Sequence, residues 1–291
     1  MTRNPIVQSF WDEPTGSWQY VFHDPATLKG AIVDPVWNFD ANSATTDTQS
    51  AQAILDYVVE TGIDVDWVLD THPHADHFSA GPWLKQHLNA KTGIGENVTG
   101  VQRLWREIYH LGDALTCDGS QWDRLFADGE RIRLGELDVD VLFSPGHTLA
   151  SVSYIVGDAA FVHDTLMMPD CGSSRADFPG GSSADLYDSV QRILALPSDT
   201  KLYIGHDYRP GGRAPANCAT VAEQKADNIH FKNDISKLDY CALRDARDQT
   251  LPLPRLMLAA LQVNIRGGRL PQPEADGKSY LKIPLNAFST E

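Results

Sequence analysis

The segment THPHADHFSAG, residues 71–81, sets His72, His74, Asp76 and His77 within six consecutive positions of a chain that holds ten histidines. It follows DVDWVLDT, residues 64–71, an apolar run that reads as a buried strand. It precedes AGPWLKQHL, residues 80–88, where helical spacing resumes. Histidines two apart in an extended turn can aim their imidazoles at one point about 2 Å from each nitrogen, the length of a metal–imidazole bond. Asp76 and His77 can serve an adjacent position. The segment therefore reads as a metal-binding turn at the end of a strand.

Three residues elsewhere can close such a site: His147 in SPGHT, Asp164 in FVHDTL and His206 in YIGHDY. Each sits where an apolar run ends. DVDVLFSPGHT (138–148) reads as a strand stopped by a Pro-Gly turn, SVSYIVG and AAFVHDTL as a hairpin across Gly157–Asp158, and TKLYIGHDY (200–208) as a further strand. In layered α/β folds, strand ends are where a rigid scaffold presents side chains to a site. WQYVFHD (18–24) and GAIVDPV (30–36) form another expected hairpin, with Asp34–Pro35 ending its second strand. Helices are expected over 47–61 with Gly62 as the stop, over 98–112, and over 185–196 before Pro197. The tail has helical stretches near 219–230 and 251–262 and a strand-like YLKIPL, with no linker that would set it apart.

The 291 residues carry 42% hydrophobic and 22% charged residues, ordinary for a globular chain. A net charge of −15 works against a phosphate-binding surface, so nucleic acid is not an expected partner. No run of about 18 apolar residues and no apolar N-terminal region is visible, so neither a membrane span nor a signal peptide is expected. The four cysteines (Cys117, Cys171, Cys218, Cys241) are widely spaced and suit a reducing, cytoplasmic compartment.

In their order, THPHADH, SPGHT, the strand-borne Asp164 and GHDY resemble the metallo-β-lactamase superfamily, over roughly residues 5–210. The resemblance implies an α/β fold, a four-layer αββα sandwich with metals at one edge, in a single domain whose helical extension (211–291) packs on the core. CGSSRADFPGG followed by DLYDSVQRILALPSDTKLYIGHDY is similar to the persulfide dioxygenase branch. QVNIRGGRLPQPEADGKSYLKIPLNAF resembles dioxygenase-like proteins that occur alone or fused to a sulfur-handling domain in bacteria.

On that resemblance, His72, His147 and Asp164 would ligate one Fe(II), with His74, Asp76, His77 and His206 orienting ligands and water around it. Arg175 would meet a glutathione carboxylate and Tyr208 would lie near the pocket. The substrates would be glutathione persulfide, or a related small persulfide, and O2, and the protein a homodimer. The alternative is a dinuclear Zn(II) hydrolase of a thioester or lactone, in which the same seven residues ligate two ions. A structural pairing of Arg175 with Asp177 or Asp185 competes with its substrate role. His163 stands where the family usually has glycine; strand alternation favours a ring turned away from the site over one that crowds or hydrogen-bonds it. Cys171 reads as a small buried residue more readily than as a reactive thiol. The helix at 98–112 would pack the core, roof the pocket or form a dimer contact.

Overall fold

The computed structural model describes residues 3–288. Strands β1 to β5 span Ile6–Asp12, Ser17–His23, Lys29–Val33, Val36–Asp40 and Thr45–Asp47, and helix α1 follows at Gln49–Thr61. Then come β6 (Asp64–Leu69), β7 (Phe78–Ser79), α2 (Gly81–Leu88), β8 (Lys91–Gly95), α3 (Val98–Ile108) and β9 (Arg124–Phe126). Strands β10 to β13 occupy Arg131–Leu134, Leu137–Phe143, Val152–Val156 and Ala159–His163. The rest is α4 (Ser183–Leu194), β14 (Lys201–Ile204), β15 (Cys218–Thr220), α5 (Val221–Asp227), α6 (Lys237–Asp248) and α7 (Met257–Asn264).

One sheet has the order β1-β2-β3-β6-β8-β9, antiparallel up to β3 and parallel beyond it. The second runs β10 to β15 in sequence order, with β13 and β14 parallel. Their inner faces meet through Tyr20, Phe22, Leu69 and Phe126 on one side and Leu134, Val139, Tyr154 and Phe161 on the other. β10 and β11 show why the sheets face this way. Ile132, Leu134, Val139 and Val141 alternate inward, while Arg131 opposes Asp140 and Arg133 opposes Asp138 on the wet face.

Helices α1 and α2 cover the first sheet, setting Ile54, Val58 and Leu84 against Ile32 and Val68. Helices α4, α5 and α6 cover the second, with Leu186, Val190, Val221 and Tyr240 against Ala160, Val162 and Leu202. The four layers are those expected. Gly62 ends α1 in the left-handed conformation, and Ser182 caps α4 by accepting from the Asp185 N–H.

The tail differs from expectation in two places. Helix α6 carries no apolar stripe, because its buried residues are Tyr240, Arg244 and Asp248. YLKIPL forms no strand: the Lys282 N–H and carbonyl pair with the side-chain amide of Gln262, which takes the place of a neighbouring strand. Helix α7 packs against α3, joining Met257, Leu261 and Ile265 to Val98, Val101 and Trp105. Among the described residues, no helix is long and apolar enough to cross a membrane.

Candidate metal centre

Strands β3, β6, β11, β13 and β14 end toward one edge of the sandwich, and Asp34, His72, His147, Asp164 and His206 follow them within a few residues. Gly146 makes the SPGHT turn possible, since at φ 135° it lies where a Cβ would strike the Leu186 backbone in α4.

Asp34, fully buried, organises the histidines. Its Oδ1 accepts from His74 Nε2 at 2.9 Å and from the Thr71 N–H at 2.7 Å, and its Oδ2 accepts from the Thr71 hydroxyl at 2.8 Å. Having donated to Asp34, the Thr71 oxygen accepts from His72 Nδ1 at 3.0 Å. His147 Nδ1 donates to the Arg175 carbonyl at 2.8 Å, His77 Nδ1 to Phe78 O at 3.0 Å, and His206 Nδ1 to Gly16 O at 3.3 Å. For His72, His74 and His77 the acceptor assigns a tautomer and leaves the other ring nitrogen bare.

Those bare nitrogens converge. His72 Nε2, His74 Nδ1, His77 Nε2 and Asp164 Oδ1 are buried without a hydrogen-bond partner, which a protein interior rarely leaves so. His72, His147 and Asp164 form one ligand-capable group, His74, Asp76 and His77 a second, Asp76, Asp164 and His206 a third, and His72, His74 and His163 a fourth. Asp164 Oδ2 lies 3.6 Å from both His72 Nε2 and His147 Nε2 and 3.4 Å from His206 Nε2. This donor set, imidazole nitrogens and carboxylate oxygens, suits Fe(II) or Zn(II). All seven residues read as ligands or their neighbours are brought together.

The charges agree with this. Burial, then the neighbouring imidazoles, hold the pKa of His72 and of His74 well below the usual histidine value, so both rings stay neutral, the form that can ligate a metal. Burial would raise the Asp76 and Asp164 carboxyls, but His206 and the other histidines outweigh it and hold both well below the usual range. His206 moves the opposite way. Burial disfavours its cation, yet Asp164 and Asp76 together raise it well above its ordinary value.

His163 is a correction. It turns into the site, with Nε2 3.0 Å from Asp34 Oδ2 and its ring 4.6 Å from that of His74. Alternation fails because residue 163 has φ 44° and the β13–β14 register shifts between Phe161 and His163, a bulge that rotates the side chain inward. Asp34 was read only as a turn residue, although a carboxylate just past the apolar GAIV run obeys the same strand-end rule as the others.

Arg175 forms a two-pronged pair with Asp177 at 2.7 and 2.8 Å, donates to Pro252 O at 2.6 Å and lies over Phe178. Tyr208 is 72% exposed, its ring parallel to that of His206. Burial, then Asp170, pushes the Cys171 thiol up to about 11, so it stays protonated. Beside His147 an apolar recess is lined by Pro73, Ala75, Val101, Trp105, Phe178 and Leu261. Helix α3 thus both packs the core and walls the pocket.

A family model described as the metallo-beta-lactamase superfamily matches residues 17–206. The "Beta-lactamase hydrolase-like protein" of Agrobacterium fabrum is 61% identical over 98% of this chain, which spans 65% of that relative's length. "Glyoxylase B2" of Dictyostelium discoideum is 43% identical over 98% of this chain and 99% of its own. The human "Persulfide dioxygenase ETHE1, mitochondrial" is 27% identical over 91% of this chain and 89% of its own. The crystal structure of ETHE1 from Myxococcus xanthus matches with a TM-score of 0.72 at 28% identity, covering 91% of this chain and 100% of that one.

Proposed function

Because the chain belongs to the metallo-β-lactamase superfamily, we propose that it is a mononuclear iron(II) dioxygenase of glutathione persulfide or a related small persulfide. The observation that carries this reading is the His72–His147–Asp164 group, two imidazoles and one carboxylate on one face of a buried site. Such a face leaves open positions for two reactants and is the donor set of non-haem iron oxygenases. The likeness to ETHE1 over most of the chain supports it.

Iron(II), when bound there, would supply open coordination positions and the electrons that let dioxygen react with a sulfur anion. Both oxygen atoms end on the terminal sulfur of the persulfide anion, RSS⁻, giving RSSO2⁻. Water then splits the S–S bond, leaving RSH and hydrogensulfite. The chain's own residues hold the geometry. Asp34 fixes His72 through Thr71, the Arg175 carbonyl fixes His147, and His206 keeps Asp164 ionised. The apolar wall of Val101, Trp105 and Phe178 restricts water beside His147. Arg175 would meet a carrier carboxylate by exchanging Asp177, whose side chain is 38% exposed, and Tyr208 would flank the entrance.

A second reading draws on the other bare nitrogens. His74 Nδ1 and His77 Nε2 also point inward, so two Zn(II) ions could be held, with water activated between them for thioester or lactone hydrolysis. The relative named as a glyoxylase is in line with it. Oxygen uptake by anaerobically iron-loaded protein on adding glutathione persulfide decides between them. Uptake with sulfite release is expected. One bound iron without uptake would overturn the proposal and direct attention to zinc-loaded hydrolysis of S-lactoylglutathione.

A further inference from the structure

We propose that Asn264, in helix α7 of the C-terminal extension, is a positioning residue of the metal centre that fixes the shape of the 71–81 turn. The inference rests on the metal centre alone and is common to oxygenation and hydrolysis.

Asn264 is 2% exposed, and its side-chain amide is given wholly to that turn. Nδ2 donates to the His74 carbonyl at 2.8 Å and to the His77 carbonyl at 2.7 Å, while Oδ1 accepts from the Ser79 N–H at 2.8 Å. The amide has two donor hydrogens and a carbonyl acceptor, and each finds a buried backbone partner. The two carbonyls bracket Asp76 and belong to the histidines whose Nδ1 and Nε2, respectively, are left bare. Holding a residue's carbonyl fixes its peptide plane and so the direction of its Cα–Cβ bond. Asn264 thereby sets where His74 and His77 aim, and shapes the backbone that carries Asp76. Loss of this amide would leave the buried His74 and His77 carbonyls without these partners.

A second observation places the same helix against the same turn. Helix α7 ends through Gly267, whose N–H bonds to Asn264 O at 2.9 Å, and Gly268, whose N–H bonds to Val263 O at 3.1 Å. Gly268 has φ 79°, and a Cβ there would overlap the Ser79 carbonyl and stand 2.8 Å from Pro82 Cδ. The backbone approaches the turn so closely that only glycine fits. The other face of Ser79 is tied to the sandwich, since its hydroxyl donates to Asp70 at 2.8 Å and Trp122 Nε1 donates to the same carboxylate at 2.7 Å. The turn is gripped between the sheet and the extension.

The test measures Co(II) affinity and the cobalt absorption spectrum of the full chain for wild type, Asn264→Leu, Asn264→Asp and Gly268→Ala. Ile54→Ala, on the buried face of α1 away from the turn, serves as a destabilised control. Asn264→Asp keeps the acceptor for Ser79 but loses both donors. Loss of a group that orients ligands is expected to weaken Co(II) binding about 10–100-fold in both Asn264 variants and in Gly268→Ala, with an altered spectrum. Ile54→Ala is expected to lower the Tm while binding Co(II) as wild type does. Wild-type affinity and spectrum in folded Asn264→Asp would overturn the proposal, as would losses that track Tm equally in Ile54→Ala. If Asn264→Leu does not fold, Asn264→Asp and Gly268→Ala decide.

Discussion

His74 presents Nε2 to Asp34 Oδ1 at 2.9 Å, which commits that nitrogen to donation and turns Nδ1 toward Asp76, 3.9 Å away. The same carboxylate reaches His72 through Thr71, so one buried group sets the tautomers of two candidate ligands.

Asp34→Asn replaces one acceptor by a donor where His74 Nε2–H and the Thr71 N–H and hydroxyl all need acceptors. One of these donors must then turn away or lose its partner. Metal affinity is expected to fall about 10–100-fold, read as metal content after dialysis against a chelator. A folded Asp34→Asn protein with wild-type metal content would contradict the role given to Asp34.

His77→Ala separates one ion from two. Under the mononuclear reading it keeps one iron per chain, because the His72–His147–Asp164 group is intact. His72→Ala and Asp164→Ala lose the metal and the activity. Metal analysis of the three variants checks this, and loss of all bound metal in His77→Ala would count against a single iron.

Metal-free protein is expected to be most stable close to pH 6.5 and to lose stability toward pH 5. Burial above all depresses His72, His74, His163 and His230, the last two to about 4. Unfolded histidines titrate near about 6.5. Below that pH the unfolded chain takes up protons that the folded chain refuses, so stability falls with pH. Asp34 and Asp70, the latter raised to about 6 by burial and then by Asp34, act in the other direction but are fewer. His206, raised by Asp164 and Asp76 against burial, contributes fully below about 6.5. That contribution is lost as pH rises through its folded pKa. Calorimetric Tm across pH 5 to 8 tests this, and a Tm that climbs steadily on acidification contradicts it.

Arg175→Ala is expected to raise KM for glutathione persulfide about tenfold with kcat little changed, the pattern of a lost uniform binding contact. Steady-state kinetics with glutathione persulfide and with a carboxylate-free alkyl persulfide separate the effect. An equal KM change for both would mean that the guanidinium acts only through Asp177 and the loop that holds His147.

The centre was largely legible because its ligands are rare residue types placed directly after apolar runs. THPHADH, SPGHT, Asp164 and GHDY each obey that rule, and the two sheets follow from the same runs. Asp34 obeys it too, but the proline after it gives the look of a plain turn. For His163 alternation favoured the wrong one of two readings, since its direction depends on a left-handed backbone at one position and a register shift that no alternation encodes. Helix α6 was hidden for a different reason. Its buried Arg244–Asp248 pair, 2.6 Å apart, has the spacing of an ordinary surface pair on a helix. Asn264 reaches the turn across 185 to 190 residues of sequence, and no local pattern reports such a contact.

Positions 163 and 205 share one volume. A Cβ at Gly205 would fall on the His163 ring and on Asp164 Oδ1. The imidazole is therefore admitted only by the bareness of its neighbour just past the end of β14. Shrinking His163 to glycine would remove the first overlap and leave the second, against the Asp164 carboxylate. A methyl group at 205 would meet the carboxylate at the heart of the site whichever residue stands at 163. Gly205 thus keeps clear two neighbours at once, the ring at 163 and the carboxylate at 164.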